Sequence, residues 1–331
     1  MRRLTGFIMI LLICGIVAYA FSPRPPVLKP ATVQRFERMM VNDAHRMGDR
    51  LVAVGDAGRI FVSDDDGDSW RFVDSGTPSS LTRLRVIDEK TAVAVGHDSM
   101  ILQTRDAGDS WTELYSAPDA ESPLMDIVSL GGDRLAAIGA YHQYLQSEDG
   151  GASWNPVQVS DDDKHFNAIA RMGETGLLLV GEAGTVLFSR DLGKSWSKVA
   201  TPYAGSYFGI LTLDDKSALV YGMRGKLFRF IVGGKGLEPI ENESKASLLG
   251  GRLVDSTVVL AGLEGTLLIS EDRGATFRID RTVGSRVHTS IIPRRDGQWI
   301  ALGEGGAVKF KIDSNLPNSN TSSAGQAGVK P

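Results

Sequence analysis

Thiols are almost absent from this chain of 331 residues, in which Cys14 is the single cysteine. Intrachain disulfides and cysteine metal sites are thereby excluded, and a thiolate nucleophile would have to be Cys14 itself. Positive charge is not in excess either: 36 basic against 40 acidic residues leave a formal net charge of −4. No nucleic-acid partner is expected from that balance. The five histidines, His45, His97, His142, His165 and His288, show no H-x-x-x-H spacing, so no metal site and no cofactor is expected. A G-x-S-x-G nucleophile elbow is missing too, which removes the common serine-hydrolase arrangement.

Long apolar runs are confined to the first 20 residues. Arg2 and Arg3 precede the stretch GFIMILLICGIV, and Ala18-Tyr19-Ala20 has the A-x-A form of a cleavage site. Residues 1–20 therefore read as an export signal. An uncleaved membrane anchor is the alternative, although the stretch is short for a spanning helix. Ile13 ahead of Cys14 is not the small residue that a lipoprotein site wants, and cleavage after Ala20 would leave a mature chain with no thiol. The compartment expected is outside the cytoplasm, most simply a bacterial periplasm. Residues 21–30 form a proline-rich, extended spacer. Residues 313–331 are polar and are expected to be disordered.

Between these ends the chain repeats. Gly55, Gly96, Gly139, Gly181, Gly222, Gly262 and Gly303 recur at intervals of 40 to 43 residues, each closing a short apolar run such as LVAVG or LLLVG. A period near 40 with four strands per repeat is the pattern of a β-propeller. The fold class expected is all-β: seven four-stranded antiparallel blades over residues 31–312. In residues 83–116 the strands read as LRVIDE, TAVAVG, MILQTR and SWTELY, from the inside outwards. Met40, Thr82, Leu124, Phe166, Phe208, Leu248 and His288 mark the starts of the inner strands. The last repeat supplies only three strands. The N-terminal segment of about residues 27–36 is expected to add the fourth and close the ring.

Between the third and fourth strands a second pattern recurs: SDDDGDSW (63–70), TRDAGDSW (104–111), SEDGGASW (147–154), SRDLGKSW (189–196) and SEDRGATF (270–277). Asp65, Asp106, Asp149, Asp191 and Asp272 can accept backbone N–H groups inside the hairpin. Gly67, Gly108, Gly151, Gly193 and Gly274 supply its positive φ. Trp70, Trp111, Trp154, Trp196 and Phe277 open the outer strand and can pack between blades. Calcium binding is the functional alternative, but the boxes offer too few oxygen ligands for it. Blade five (FRFIVGGKGLEP) lacks both the acid and the aromatic, and blade seven ends before a box.

This pattern resembles the Asp box of bacterial-neuraminidase-type repeats, in a match covering most of residues 31–312. Sialidases carry such boxes, yet the F/Y-R-I-P motif of that family has no counterpart in the stretch FERMMVNDAHRM, and the repeats are too even for an elaborated active site. No catalytic residues are expected. A compact exported propeller of this kind is similar to the photosystem II assembly and stability factors Ycf48 and HCF136. That resemblance implies a non-enzymatic, membrane-proximal scaffold with a protein partner, a membrane protein or complex. A carbohydrate-binding or degenerate glycosidase-like propeller and an accessory subunit of an envelope transporter are the alternatives.

The boxes are expected on one face, and the turns after the repeated glycines on the other. Most of those turns carry a second glycine three residues on, which Ser99 and His142 replace in blades two and three. Function or neutral drift could account for either exchange. The same face is expected to hold His97, Tyr141, His142, Tyr203, Tyr207, Arg224, Arg286 and Arg83 as partner-binding residues, tyrosine and arginine being common interface anchors. A solvated surface is the alternative for each. The three arginines are placed by repeat position against the arginine-bearing patch that the resemblance implies.

Overall fold

The computed structural model describes residues 9, 12–17, 34–120 and 122–313. The chain falls into two units, Met1–Gln34 and Arg35–Pro331. In the first, residues 12–17 are helical and Cys14 is exposed. Among the described residues no helix is long and apolar enough to cross a membrane. The Ala18-Tyr19-Ala20 site, the spacer and residues 314–331 of the expected tail lie outside the described residues.

The second unit is a seven-bladed β-propeller of antiparallel sheets, four-stranded in blades one to six and three-stranded in blade seven among the described residues. Blade one comprises Val41–Met47, Arg50–Gly55, Ile60–Ser63 and Arg71–Val73, from the channel outwards. First strands of successive blades lie side by side, and that of blade seven, His288–Pro293, packs on that of blade one. Second strands such as Ala92–Gly96 are buried along their whole length, which is why they read as unbroken apolar runs.

The repeated glycines answer to contact and not to a left-handed backbone. Gly55 is extended, with φ −171°, but a Cβ there would sit 2.0 Å from the Met40 carbonyl oxygen. The equivalent distances at the other six run from 2.0 to 2.3 Å, each to the carbonyl just ahead of the inner strand. Any larger residue would push the inner strand away.

Two expectations need correcting. Inner strands begin opposite the repeated glycines at Val41, Leu81 and Tyr207, one residue from the expected Met40, Thr82 and Phe208. The other four starts are as expected. In blade two the inner strand spans Leu81–Val86 and not LRVIDE, because Ile87 and Asp88 both donate to the Thr91 carbonyl and turn the chain. The cause of the slip is a β-bulge after the first residue pair of every inner strand, which breaks the simple alternation of faces.

The expected closing strand is not seen either. Residues 27–33 lie outside the described residues, and Phe36–Arg38 form a short 3-10 turn. Among the described residues, blades seven and one are joined by hydrogen bonds and by packing. Gly305 N–H donates to Met39 O, 3.1 Å, and Thr289 Oγ1 donates to Val41 O, 2.7 Å. Phe36 stacks on Trp70 with centroids 4.2 Å apart, inside an apolar cluster shared by Val41, Phe61, Ile292 and Ile300.

The Asp boxes act as clasps between blades. In the first, Asp65 Oδ1 accepts from Ser69 N–H at 2.8 Å and from the Ser63 hydroxyl at 2.8 Å, while Gly67 N–H donates to Ser63 Oγ at 2.7 Å. Asp106, Asp149, Asp191 and Asp272 repeat the network. All five box glycines have φ between +80° and +93°. Each abuts the preceding blade: a Cβ on Gly67 would lie 2.4 Å from Ile300 Cδ1, and one on Gly193 would lie 2.7 Å from the Tyr144 hydroxyl. The box aromatics behave likewise. Trp70, Trp111, Trp154, Trp196 and Phe277 pack on clusters formed by two neighbouring blades.

Candidate functional site: the glycine-turn face and the channel beneath it

Each turn after a repeated glycine needs two consecutive residues at positive φ. In blade five these are Arg224 (φ +57°) and Gly225 (φ +70°). The first of the pair projects from the face, whereas the second packs down against the linker between blades. At Gly225 a Cβ would meet the Ser244 carbonyl at 2.2 Å. Where Ser99 takes that place its hydroxyl donates to Ser122 O at 2.8 Å and accepts from Gln143 Nε2 at 3.2 Å. Ser99 is buried and stitches blade two to blade three. His142 takes the same place in blade three, with Nδ1 3.3 Å from Asp163.

Several recesses open on this face, three of them lined by residues singled out in the sequence. One, ≈ 670 Å³, lies on blade three and is lined by Tyr115, Tyr141, His142, Tyr144 and Pro156. Tyr141 is 56% exposed, held at φ +52° with its ring edge-on to His165 at 4.8 Å. Beneath it Tyr144 is buried, its hydroxyl without a hydrogen-bond partner among the described residues, and burial pushes its pKa up to about 12. A second recess of ≈ 240 Å³ on blade five joins Tyr203, Arg224, Lys226, Phe228 and Lys245. Its one acidic residue is Glu241, so it is a basic, partly aromatic groove. The third, ≈ 330 Å³, is the mouth of the central channel, with Arg83 and His97 among its lining.

The mouth is ringed by the bulged residue of each inner strand: Asn42, Thr82, Met125, Asn167, Phe208, Leu249 and Thr289. Four of these close hydrogen bonds to the next blade. Asn42 donates to Leu81 O (2.8 Å), Thr82 to Leu124 O (2.6 Å), Asn167 to Tyr207 O (2.8 Å) and Thr289 to Val41 O (2.7 Å). Met125, Phe208 and Leu249 leave the rest of the rim apolar.

Below the mouth the channel narrows to a charged waist. Asp43 and Asp126 each accept an N–H from their own strand and one from the next blade. Ala44 and Leu84 donate to Asp43, Ile127 and Ile169 to Asp126, at 2.8 to 3.1 Å. Burial opposes ionisation of Asp43, but His45, Arg83 and Arg85 outweigh it and hold the carboxyl well below the usual range. Burial lowers the pKa of His45 despite the Asp43 charge. Arg252 Nη2 lies 3.4 Å from His45 Nδ1, and His45 Nε2 lies 3.4 Å from Asp43 Oδ2. A neutral ring protonated at Nε2 satisfies both contacts.

The sequence-selected residues thus divide among several places. Tyr141 and His142 share the blade-three recess, Tyr203 and Arg224 the blade-five recess, and His97 lies at the mouth. Arg286 is exposed near Gly305. Two differ from expectation. Tyr207 is fully buried and bonded to Thr201, because it heads its inner strand opposite Gly222; it cannot touch a partner. Arg83 points into the channel, its side chain only 15% exposed, and does not join Arg224 and Arg286 on the surface. The rim and waist residues had one sequence signal: polar or charged side chains breaking the apolar character of inner strands, as in VNDAHR and LTRLRV.

Residues 116–250 match the family model described as photosynthesis system II assembly factor YCF48. The photosystem II stability/assembly factor HCF136, chloroplastic, of Arabidopsis thaliana is 24% identical over 159 residues, 45% of this chain and 39% of that protein. The photosystem II assembly lipoprotein Ycf48 of Synechococcus sp. (strain CC9902) is 26% identical over 141 residues, 41% and 42% of the two chains. The matches therefore span about two fifths of each relative's length. Among solved structures, YCF48 from Cyanidioschyzon merolae aligns at TM-score 0.67 and 15% identity, covering 83% of this chain and 96% of that one. YCF48 bound to D1 peptide aligns at 0.65 and 19%, covering 83% and 94%. The WD40 propeller domain of Doa1 aligns as well, at 0.67 and 13%, covering 83% and 94%. Those three likenesses establish the propeller. The sequence matches agree with the resemblance read from the boxes: over residues 116–250 this chain is similar to the Ycf48/HCF136 proteins.

Proposed function

We propose that this chain is an exported, membrane-proximal assembly or stability factor that binds a segment of a membrane protein on its glycine-turn face. The observation that carries it is the family match over residues 116–250, which spans blades three to five and takes in the blade-five recess and all of the blade-three recess but Tyr115. The relatives named for photosystem II assembly and the propeller solved with a D1 peptide support a membrane-protein partner. The blade-three recess offers tyrosine rings, and the blade-five recess offers Arg224, Lys226 and Lys245 beside Tyr203. An extended segment carrying apolar and acidic side chains would complement them. The basic start, apolar stretch and A-x-A site support export, with a periplasmic location in a bacterial cell. A role as scaffold and not catalyst accords with the relatives' names.

The test is capture from detergent-solubilised membranes by the tagged full chain. The double variant Tyr141→Ala, Arg224→Glu changes two exposed side chains and leaves the core alone. The expected result is one integral membrane protein enriched by the wild type and lost from the variant. Equal capture by both would place the partner elsewhere, and enrichment of soluble proteins alone would overturn the assignment. Arg83 is left intact because its replacement would disturb the channel.

A further inference from the structure

We propose that the waist of the central channel is a binding site for a small inorganic oxyanion of about phosphate size, held by Arg83, Arg252 and the Tyr221 hydroxyl. Hydrogen-bond supply there is one-sided. Both carboxylates, Asp43 and Asp126, are already engaged by backbone N–H groups from two blades. Arg85 is spent on Asp126, at 2.7 Å. Arg83 makes no hydrogen bond to any described residue, and its one carboxylate contact is Asp126 Oδ1, 3.9 Å from Nε. Among the described residues Arg252 donates only to Ile291 O (3.2 Å) and towards His45 Nδ1 (3.4 Å), with no carboxylate in ion-pair range. Three guanidinium groups thus face two carboxylates and a neutral histidine, leaving one positive charge unbalanced among spare donors.

The opposite wall has been cleared for this arrangement. Tyr221 belongs to the second strand of blade five, yet its ring reaches the channel because the residue facing it is Gly209. A Cβ on Gly209 would lie 2.4 Å from the Tyr221 hydroxyl. That hydroxyl makes no hydrogen bond to a described residue, and burial pushes its pKa up to about 12 despite the nearby arginines; it remains a donor at all ordinary pH. Ala168, Gly209 and Gly250 leave open a space of ≈ 50 Å³. At about 10–15 Å³ per water this holds a few waters or one small anion. Arg83 and Thr289 line both the waist and the mouth, so the space is reached from the glycine-turn face.

The full chain is titrated with inorganic phosphate by calorimetry, with sodium chloride held in balance to keep ionic strength constant. Saturable one-to-one binding is expected below about 10 mM. Arg252→Met, which keeps the stem and removes the charge, should weaken it at least about tenfold. Tyr221→Phe, which keeps the ring and the fold, should weaken it by about three- to tenfold. Lys235→Ala, an exposed change outside the recesses described, should leave it unchanged. Absence of saturable binding would show that waters alone fill the waist. Equal affinity in wild type and Tyr221→Phe, or loss with Lys235→Ala, would move the anion elsewhere. Each of these results overturns the proposal.

Discussion

Replacing Gly67 by alanine adds one methyl group at the join between blades one and seven. Two costs should appear. Gly67 has φ +88°, where an L-residue loses about 1–2 kcal/mol relative to glycine. The new Cβ would also lie 2.4 Å from Ile300 Cδ1 and 3.4 Å from Leu51 Cδ1. Both neighbours are side-chain ends that can shift, so overpacking adds about 1–3 kcal/mol. Gly76 separates the two terms, since it has φ +77° and nothing within 4 Å of its Cβ position. Gly76→Ala should show the backbone cost alone, leaving Gly67→Ala the more destabilised by about 1–3 kcal/mol. Ile300→Val removes the methyl that stands in the way. Alone it should cost about 0.5–1.5 kcal/mol; combined with Gly67→Ala it should restore part of the loss, because the two changes conserve volume across the interface. Urea unfolding followed by tryptophan fluorescence reads all four chains. Equal destabilisation by Gly67→Ala and Gly76→Ala, or strict additivity of the pair, would refute the clasp between the first box and the last blade.

Three further outcomes are expected. Tyr144→Phe deletes a buried hydroxyl with no partner among the described residues and should raise stability by about 1 kcal/mol, read in the same urea titration; a loss of that size would mean the hydroxyl has a partner. Phe277→Ala empties a fully buried site between blades five and six and should cost about 3–5 kcal/mol. The half-buried Trp154 should cost less when truncated, and the reverse order would contradict the packing. The hydroxyl and backbone bonds of Ser153 and Ser195 hold Asp149 and Asp191 at about 2, from an ordinary 3.8. The folded chain thus takes up these protons less readily than the unfolded one, so their stabilisation is complete above about pH 4 and is lost towards about pH 2. Asp149→Asn with Asp191→Asn should flatten that acid limb of melting temperature against pH, and an unchanged limb would assign acid sensitivity to other groups.

The blade count and the faces were legible because they rest on steric demands that leave a mark at every repeat. No residue but glycine fits beside the carbonyl that precedes each inner strand, and no residue but glycine sits easily at the box turn. Those demands recur seven and five times in the sequence, so periodicity exposes them. The channel is different in kind. Its residues are set by the bulge at the second position of each inner strand, which turns Thr82 and Phe208 to the rim while burying Leu81 and Tyr207. A one-residue slip in that phase exchanged the buried Tyr207 for a surface residue. Arg83 went astray for a related reason: one position beyond the bulged Thr82, it lines both mouth and waist, a direction that a reading by repeat position alone cannot register. Nor did the seven waist positions share a residue type. Asp43, Arg83, Asp126, Ala168, Gly209, Gly250 and Ser290 comprise five residue types, and only their convergence on one axis gives them a common setting. The repeat thus records what every blade needs in order to pack, whereas the residues proposed to bind occupy positions at which the blades differ. Tyr141 in blade three, Arg224 in blade five and Arg252 in blade six are such departures, and they are where substitutions should alter recognition while leaving the ring intact.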